Sequence, residues 1–383
     1  MLIGIDGIPL RDIKTGVGHY TFELARSLAL AAPDDQFEML SPFDFESSSE
    51  SENQKKEWPS NLGFTRVKVN LLERKWWIIG LPRYLKRHPF DLFHGTNFDI
   101  PLWRLRPTVV TVHDLSSILY ARTHEARNAR RGRRRLPIMI RSATQIVTPS
   151  ESVRSEVADH FQVSGEKLTV VPPAARSIFR PLPPEQTAEP RGRLGVEDNF
   201  LLFVGTIEPR KNLVTLLNAY QEVLRATGPQ PQLVIAGKSG WLTDEVFNTV
   251  RKLGIEERVR FTGYISDSDL CALYSSCRVF IYPSIYEGFG LPPLEAMACG
   301  APVVTSSIPS IAEVVGDAAI VVAPGKVDDL AKVLVRLLGD EPERRRLSQA
   351  GLKRSEHFSW KRTAELMLGV YREARDRQAR EKK

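Results

Sequence analysis

The sequence contains little cysteine. Only Cys271, Cys277 and Cys299 occur among its 383 residues, and their spacing matches no common metal site. This excludes a small secreted domain whose fold depends on disulfide bonds. We expect reduced thiols buried in the core of a cytoplasmic protein.

Long apolar runs are also missing. The nearest, residues 76–82, is far shorter than the roughly 20 residues that a membrane-spanning helix needs. A strand-like run at residues 2–6 opens the chain where a signal peptide would stand. We therefore expect a cytoplasmic protein, with peripheral attachment to the inner face of the membrane left open. No Asp-x-Asp pair ends a predicted strand, so we expect no metal ion and no cofactor.

The composition is that of a soluble globular protein with a basic excess. Hydrophobic residues make up 42% and charged residues 26%, and the length suits two domains of ordinary size. A net charge of +7 indicates an anionic partner. Nucleic acid, a phosphorylated substrate and a membrane surface all remain open at this level.

Short β-type runs alternate with helical patterns along the whole chain. Such alternation predicts α/β domains with parallel sheets covered by helices. A proline-rich stretch at residues 171–190 separates two series of runs, which predicts two Rossmann-like domains. The first series is 2–6, 37–40, 66–69, 92–94, 109–113, 145–148 and 168–171; the second is 200–205, 232–237, 258–262, 279–282, 302–305 and 319–322.

The most informative stretch is residues 284–310, SIYEGFGLPPLEAMACGAPVVTSSIPS. A predicted strand ends in a glycine-rich turn, Pro292 and Pro293 suit the start of a helix, and Gly300 suits its end. The amides that open this helix, from Gly288 to Leu291, and the positive end of the helix dipole would bind a phosphate.

Two carboxylates flank this turn. We expect Glu295 in the first helical turn, where it could simply complement the helix dipole. The glycines beside Glu287 are expected to keep other side chains away from it, so that it faces sugar hydroxyls or a developing cation. Together with a phosphate site, this arrangement indicates a sugar nucleotide.

The stretch resembles the paired-glutamate motif of retaining glycosyltransferases of family 4, which have the GT-B fold. The resemblance implies two facing Rossmann-like domains, here 1–180 for the acceptor and 190–357 for the nucleotide sugar, and a helix, 358–383, crossing back to the first. It implies that Glu287 binds the sugar and Glu295 the ribose. The amides of Gly288, Phe289, Gly290 and Leu291 would hold the diphosphate in a metal-independent, front-face reaction.

A second anion site is predicted at the start of the second domain, GTIEPRKN. Gly205 ends a strand, and Arg210 and Lys211 could neutralise a diphosphate, although they could also be an ordinary surface pair. Lys211 matches the family's lysine, but Thr206 stands where the family has an arginine. Arg210 could supply the missing guanidinium. By the same resemblance, the strand ends at Gly237 and Tyr264 would line the base.

In the first domain, Gly16 and Gly18 form a glycine turn before a helix predicted at residues 20–30. From the sequence alone this could be a plain tight turn, whereas the family resemblance places it near the donor diphosphate and the acceptor. His113 ends a strand and resembles the family histidine close to the transferred sugar. His94 also ends a strand, where we expect a structural role.

Two basic segments could contact a membrane. Residues 74–88 interleave tryptophan and aliphatic groups with lysine and arginine, and residues 127–135 hold six arginines. Either could instead be a solvated helix face, and we expect no nucleic acid. The tail from residue 360 predicts an amphipathic helix with an apolar stripe of Leu366, Met367, Val370 and Tyr371.

The motifs TGVGHYTFEL, DLFHGTNFDIP, TVHDLS and GTIEPRKN look like those of bacterial mannosyltransferases of surface polysaccharide synthesis. The resemblance implies GDP-mannose as donor and a saccharide or lipid-linked saccharide as acceptor, with UDP-glucose or another hexose donor as the alternative. A non-catalytic basic binding protein on the same scaffold, an epimerase and a phosphorylase remain other classes.

Overall fold

A computed structural model describes residues 1–11, 16–45, 58–103, 105–228 and 230–381, without the side chains of 128, 129, 131 and 381. The polar loop predicted at 48–56 lies outside the described residues. The chain forms two compact units. The first comprises Met1–Leu115, Arg130–Ala174 and Ser359–Lys383, and the second comprises Ser116–Ala129 and Ala175–Phe358. The expected boundary at residue 180 therefore lies at Ala174, and residues 116–129 belong to the second unit.

The first unit is built on a seven-stranded parallel sheet with the order β3-β2-β1-β4-β5-β6-β7. The order reverses between β1 and β4, and at such a switch point ligands bind beyond the carboxyl ends of the strands. The strands are β1 (Leu2–Asp6), β2 (Gln36–Ser41), β3 (Leu62–Arg66), β4 (Leu92–Gly95), β5 (Thr108–Thr111), β6 (Gln145–Thr148) and β7 (Leu168–Val170).

The predicted strand at 66–69 was wrong by about one strand length. β3 pairs with β2 from Phe37–Leu62 to Ser41–Arg66, and the amide of Val67 makes the last bond to the carbonyl of Ser41. Because β2 ends at Ser41, residues 68 and 69 have no strand to pair with in the described part of the chain.

The helices of the first unit pack on this sheet. The first begins at Gly16, so Gly16 and Gly18 lie inside it, and the expected turn before Tyr20 was wrong. Glycine costs a helix about 1 kcal/mol relative to alanine, which the burial of one face of this helix outweighs. The helices are Gly16–Ala31, Leu81–Arg87, Ala126–Ser142, Glu151–Phe161 and Trp360–Glu381, with a π-helical turn at Trp76–Gly80 and short 3₁₀ turns at Ile8–Leu10 and Gly165–Lys167. Ala126–Ser142 begins in the second unit.

The C-terminal helix completes the core of the first unit, as predicted. It packs against the Gly16–Ala31 helix and buries Met367, Val370 and Tyr371, but Leu366 is 37% exposed and was wrongly placed in the apolar stripe. Ala364 and Ala374 are buried on the packed face instead. Small residues there let the two helices approach closely.

The second unit holds a six-stranded parallel sheet with the order β10-β9-β8-β11-β12-β13. Its strands are β8 (Phe200–Val204), β9 (Gln232–Ala236), β10 (Val259–Gly263), β11 (Val279–Tyr282), β12 (Val303–Ser306) and β13 (Ile320–Val322). Its helices are Ser116–Leu119, Pro184–Leu194, Leu213–Ala226, Asp244–Leu253, Asp267–Ser276, Leu291–Ala298, Pro309–Val315, Val327–Gly339 and Glu341–Ser355, with short 3₁₀ turns at Ala121–Thr123, Pro209–Lys211, Glu256–Arg258 and Gly316–Ala318.

The three cysteines are buried and free, which confirms the prediction of core thiols. All belong to the second unit, where the sulfur atoms of Cys271 and Cys299 lie 3.8 Å apart. Within the described part of the chain, none of the helices combines the length and the apolar character that crossing a bilayer requires.

Candidate active site

Three glycines end neighbouring strands at the carboxyl edge of the second sheet. The amide of Gly205 donates to the carbonyl of Ala236, and the amide of Gly237 donates to the carbonyl of Gly263, each at 2.9 Å. Gly237 has φ +143°, and a Cβ there would lie 2.1 Å from the carbonyl oxygen of Gly205. Only glycine fits this position. The side chain of Tyr264, which follows Gly263, is 53% exposed beside this edge.

Glu287 lies at the centre of a buried charged cluster on the same edge. One carboxylate oxygen accepts hydrogen bonds from Lys211 Nζ at 2.5 Å and from the Tyr282 hydroxyl at 3.0 Å. The other accepts from Arg210 Nη1 at 2.7 Å, while Arg210 Nη2 donates to Glu208 at 2.7 Å. The cluster thus joins two cations to two carboxylates.

The electrostatics of this cluster keep Glu287 ionised. Burial by itself would raise the pKa of its carboxyl, but the charges of Arg210 and Lys211 together outweigh burial and lower that pKa to about 2. Burial lowers the pKa of Lys211, and the attraction of Glu287 opposes that change. Each partner therefore favours the charged form of the other.

One expectation about this cluster was wrong, and one alternative is excluded. The glycines do not keep side chains away from Glu287, because Arg210, Lys211 and Tyr282 all contact it. Lys211 is not a surface residue either, since only 7% of it is exposed. The chain folds back at the Pro209–Lys211 turn, and the carbonyl of Arg210 accepts from the amide of Ile285, which brings both cations to the glutamate.

The helix after the glycine turn runs from Leu291 to Ala298, as predicted. Gly290 caps it with φ +114°, a conformation that favours glycine. Because Pro292 and Pro293 have no amide proton, Leu291 is the only donor among the first three helical residues. An anion here would rely on Leu291 and on the amides of the turn before it.

Phe289 lies within the turn but its side chain points into the protein. It is 8% exposed and makes an edge-to-face contact with Phe358 at 5.7 Å, next to Leu294 and Val314. The phenyl ring therefore anchors the turn to the unit, and only the backbone of Phe289 can serve a ligand.

Glu295 stands in the second turn of this helix, so the expected first-turn position was wrong. Its carboxylate lies 3.7 Å from Arg176 Nε and 3.5 Å from the Tyr274 hydroxyl. Burial raises its pKa to about 7, and the nearby Arg176 only partly offsets this. Arg176 is itself held by hydrogen bonds to Asp267.

A segment from earlier in the chain also contributes to the second unit. The ring of Tyr120 stacks on Tyr286, the neighbour of Glu287, with centroids 4.7 Å apart. His124 stacks on Trp241, whose indole donates to the carbonyl of Thr123 at 2.7 Å. Tyr120 therefore supports the loop that carries Glu287, and His124 and Thr123 hold Trp241.

In the first unit, the two histidines that follow or end strands have different surroundings. His94 is fully buried between the Tyr371 hydroxyl and Thr111, each at 2.8 Å, which confirms its structural role. His113 Nε2 bonds to the carbonyl of Thr96 at 2.8 Å, and the ring contacts Tyr20 and Phe98 edge-on. Burial lowers the pKa of His113, so this histidine is neutral.

Sequence reasoning missed Glu208, Tyr282 and Arg176. Tyr282 ends β11 and Glu208 follows the end of β8 by four residues, and position beyond a strand end on the ligand-binding edge was a usable signal. Arg176 lies in the proline-rich divide, where no local pattern indicates a role. Thr206 stands where the sequence resemblance led us to expect an arginine, and the guanidinium of Arg210 lies within hydrogen-bond distance of Glu287.

Comparison with known proteins agrees with these features. The model for "Glycosyl transferases group 1" matches residues 185–354, and that for "Glycosyltransferase Family 4" matches residues 14–175. O-antigen chain mannosyltransferase B of Escherichia coli is 32% identical over 378 residues, covering 95% of this chain and 97% of that protein.

Solved structures show the same fold. Sucrose-phosphate synthase from Thermosynechococcus elongatus aligns with a TM-score of 0.74 at 22% identity, covering 97% of this chain and 98% of that one. WaaG, a glycosyltransferase involved in lipopolysaccharide biosynthesis, aligns with a TM-score of 0.72 at 18% identity, covering 95% and 98%. With its two parallel-sheet units, its glycine-lined strand ends and these matches, the chain belongs to the group 1, or family 4, glycosyltransferases of the GT-B fold.

Proposed function

We propose that this glycosyltransferase moves mannose from GDP-mannose to a saccharide or lipid-linked saccharide of a surface polysaccharide, with retention at the anomeric carbon. The observation that carries the chemistry is the buried Glu287–Arg210–Lys211 cluster beside the glycine turn. The name of the mannosyltransferase that matches 95% of the chain supports the sugar and the class of acceptor.

In this proposal the two cations stabilise the leaving diphosphate. Glu208 and Glu287 hold Arg210 in position before substrate arrives, and Glu287 and Tyr282 do the same for Lys211. Preorganised charges of this kind act most strongly when negative charge develops on the leaving group. Leu291 and the turn amides would bind the same diphosphate.

The carboxylates would bind the two sugars of the donor. Glu287 is 9% exposed, so a ligand can reach its edge and offer a mannose hydroxyl. Glu295 would accept from the ribose hydroxyls, and Gly205, Gly237 and Tyr264 would line the base. The missing side chain of Gly237 lets the carbonyl of Gly205 pack against it, which sets the shape of this edge.

The reaction breaks the bond between the anomeric carbon and the diphosphate oxygen and forms a bond to the acceptor oxygen on the same face. The acceptor hydroxyl proton moves to the departing phosphate oxygen. No side chain needs to form a covalent intermediate. His113, neutral and held by Thr96, would lie beside the transferred sugar, with Gly16 and Gly18 at the start of the neighbouring helix.

A panel of GDP, UDP and ADP sugars, assayed by thermal shift, tests the donor, because a ligand that binds only the folded state raises its melting temperature. GDP-mannose should give the largest shift and should be hydrolysed slowly or transferred. A larger shift in melting temperature with UDP-glucose would mean that UDP-glucose, and not GDP-mannose, is the donor. No shift and no turnover with any sugar nucleotide would favour a non-catalytic binding protein.

Two further readouts test the mechanism. The anomeric configuration of the product, measured by proton NMR before it can equilibrate, should match that of GDP-mannose. Transfer should continue in EDTA, since we propose that Arg210 and Lys211 stabilise the leaving diphosphate without a metal ion. An inverted product or loss of activity in EDTA would contradict these parts of the proposal.

A further inference from the structure

A large cavity opens in the first unit, at the carboxyl edge of its sheet. Its volume is about 690 Å³, within the roughly 300–1,000 Å³ that small-molecule sites occupy. Asp6 at the end of β1 and Asn97 after β4 form its polar side, at the switch point of the strand order. The π-helical turn at Trp76–Gly80 and the Ala126–Ser142 helix supply further walls.

The charged side chains of the cavity favour an anion. Arg74, Lys75 and Arg135 line it, and Asp99 offsets one of these charges by pairing with Arg135 at 2.9 Å. Burial raises the pKa of Asp6 to about 8, so this carboxyl is mostly protonated at neutral pH and does not repel a phosphate. Three cations less one carboxylate leave the lining with a charge of about +2.

Apolar side chains border the same cavity and face solvent. Phe43 is 40% exposed, Ile78 45% and Ile138 49%, and all three line the cavity. Leu102 also lines it, and the next residue, Trp103, is 65% exposed. Exposed apolar groups beside cations are unfavourable in water alone, and they match a ligand with a phosphate and an alkyl chain.

We propose that this cavity binds a phosphate-bearing lipid, the lipid-linked form of the acceptor, with the phosphate at Arg74, Lys75 and Arg135. The alkyl chain lies across Phe43, Ile78 and Ile138. Asp6 and Asn97 remain for hydroxyl groups of the attached sugar. The identity of this lipid as an acceptor rests on the proposed function, whereas lipid phosphate binding does not. The glycines at the start of the first helix, where we expected the acceptor, are not among the residues that line the cavity.

Calorimetric titration of the full chain with farnesyl phosphate, below its micelle concentration and without a sugar nucleotide, tests the proposal. We expect saturable binding. Farnesol and inorganic phosphate, which each carry only half of the ligand, should bind at least tenfold more weakly. Equal binding of farnesol, or no binding of farnesyl phosphate, would overturn the proposal.

Variants locate the site. R74E/K75E and I138D change exposed side chains, so the fold should persist, and each should weaken farnesyl phosphate binding at least tenfold. K68E and L30D are matched controls, because both residues are exposed in the same unit but do not line the cavity. If the controls weaken binding as much as the cavity variants, the lipid binds elsewhere.

Two more outcomes separate the alternatives. If R74E/K75E abolishes binding to anionic vesicles but leaves farnesyl phosphate binding intact, the basic residues contact a membrane surface and the proposed site is wrong. If farnesyl phosphate binds but no sugar nucleotide does, the proposed function fails while the lipid site stands. If a sugar nucleotide binds but farnesyl phosphate does not, the lipid site is wrong and the proposed transferase function stands.

Discussion

At the scale of single residues, Glu287 is a buried carboxylate that two cations require. A buried ion pair adds little net stability, but removing one partner leaves an uncompensated buried charge that costs roughly 3–5 kcal/mol. Glu287 therefore has a structural consequence as well as a chemical one, and a loss of activity on mutation has two explanations that must be separated.

We expect Glu287→Gln to lower the free energy of unfolding by about 3 kcal/mol, because Lys211 and Arg210 lose their charge partner. Transfer should fall by at least about 100-fold, of the order seen when a preorganised charge is removed. Urea denaturation and initial rates measure the two effects.

The double variant Lys211→Met with Glu287→Gln is the control. Without the buried ammonium, part of the lost stability should return while activity stays low. A single variant that is as stable and as active as the parent would show that Glu287 has neither role.

Glu295 predicts a pH dependence of stability. Its pKa is about 7 in the folded protein and 4.5 when solvated, so the folded state holds more protons between these values. Its contribution to stability is therefore full below pH 4.5 and is lost as pH rises through 7. Glu295→Gln should remove this loss.

Denaturant midpoints at pH 5 and pH 8 check this expectation. The denaturant midpoint of the parent minus that of the Glu295→Gln variant should be smaller at pH 8 than at pH 5. A difference that is the same at both pH values would mean that the carboxyl of Glu295 is not held in a raised-pKa environment.

At the scale of elements, the carboxyl edge of the second sheet depends on close backbone approach. Gly237 packs against the backbone of Gly205 because Gly237 has no side chain, and the hydrogen bonds of the two glycines align the ends of β8, β9 and β10.

Gly237→Ala should destabilise the second unit by several kcal/mol or displace the strand ends, since the new Cβ would lie 2.1 Å from a carbonyl oxygen. Gly254→Ala is the matched control: Gly254 also has positive φ, +65°, but no atom lies within 4 Å of the added Cβ. The control should cost only about 1 kcal/mol. Thermal unfolding compares the two, and equal losses would contradict the steric argument.

Element types were predictable, but some ends were not. Gln145–Thr148 and Val279–Tyr282 were predicted to the residue because apolar β-branched or aromatic runs stop at turn residues on both sides. β3 was misplaced because its neighbour decides where pairing stops. The first helix was predicted too short because glycines look like a turn until packing against the sheet is known.

At the scale of the whole molecule, the chain returns to its starting unit. The helix Trp360–Glu381 packs in the core formed by the first strands, and the Tyr371 hydroxyl bonds to His94 Nδ1 over 277 residues of sequence. Burial lowers the pKa of His94 to about 3, so the ring is neutral and needs its two hydrogen-bond partners.

Tyr371→Phe should therefore lower the free energy of unfolding by about 1–3 kcal/mol, the cost of leaving a buried polar atom unpaired. Tyr120→Phe, which keeps the ring that stacks on Tyr286, is the control and should change stability by about 0.5 kcal/mol or less. Chemical denaturation compares both variants. An unchanged Tyr371→Phe protein would mean that His94 finds another partner.

Local sequence was enough to predict two α/β units, the strand–glycine–helix motif around Glu287, the adjacent cations Arg210 and Lys211 and the amphipathic tail, because periodicity, glycine and proline act over a few residues. Four features became visible only in the folded chain: Arg210 and Lys211 enclose Glu287, Arg176 reaches Glu295, residues 116–129 join the second unit, and a basic, apolar-rimmed cavity opens in the first. These features depend on which strand ends lie side by side and on what each fold buries, and side chains far apart in sequence meet only when the sheets have formed.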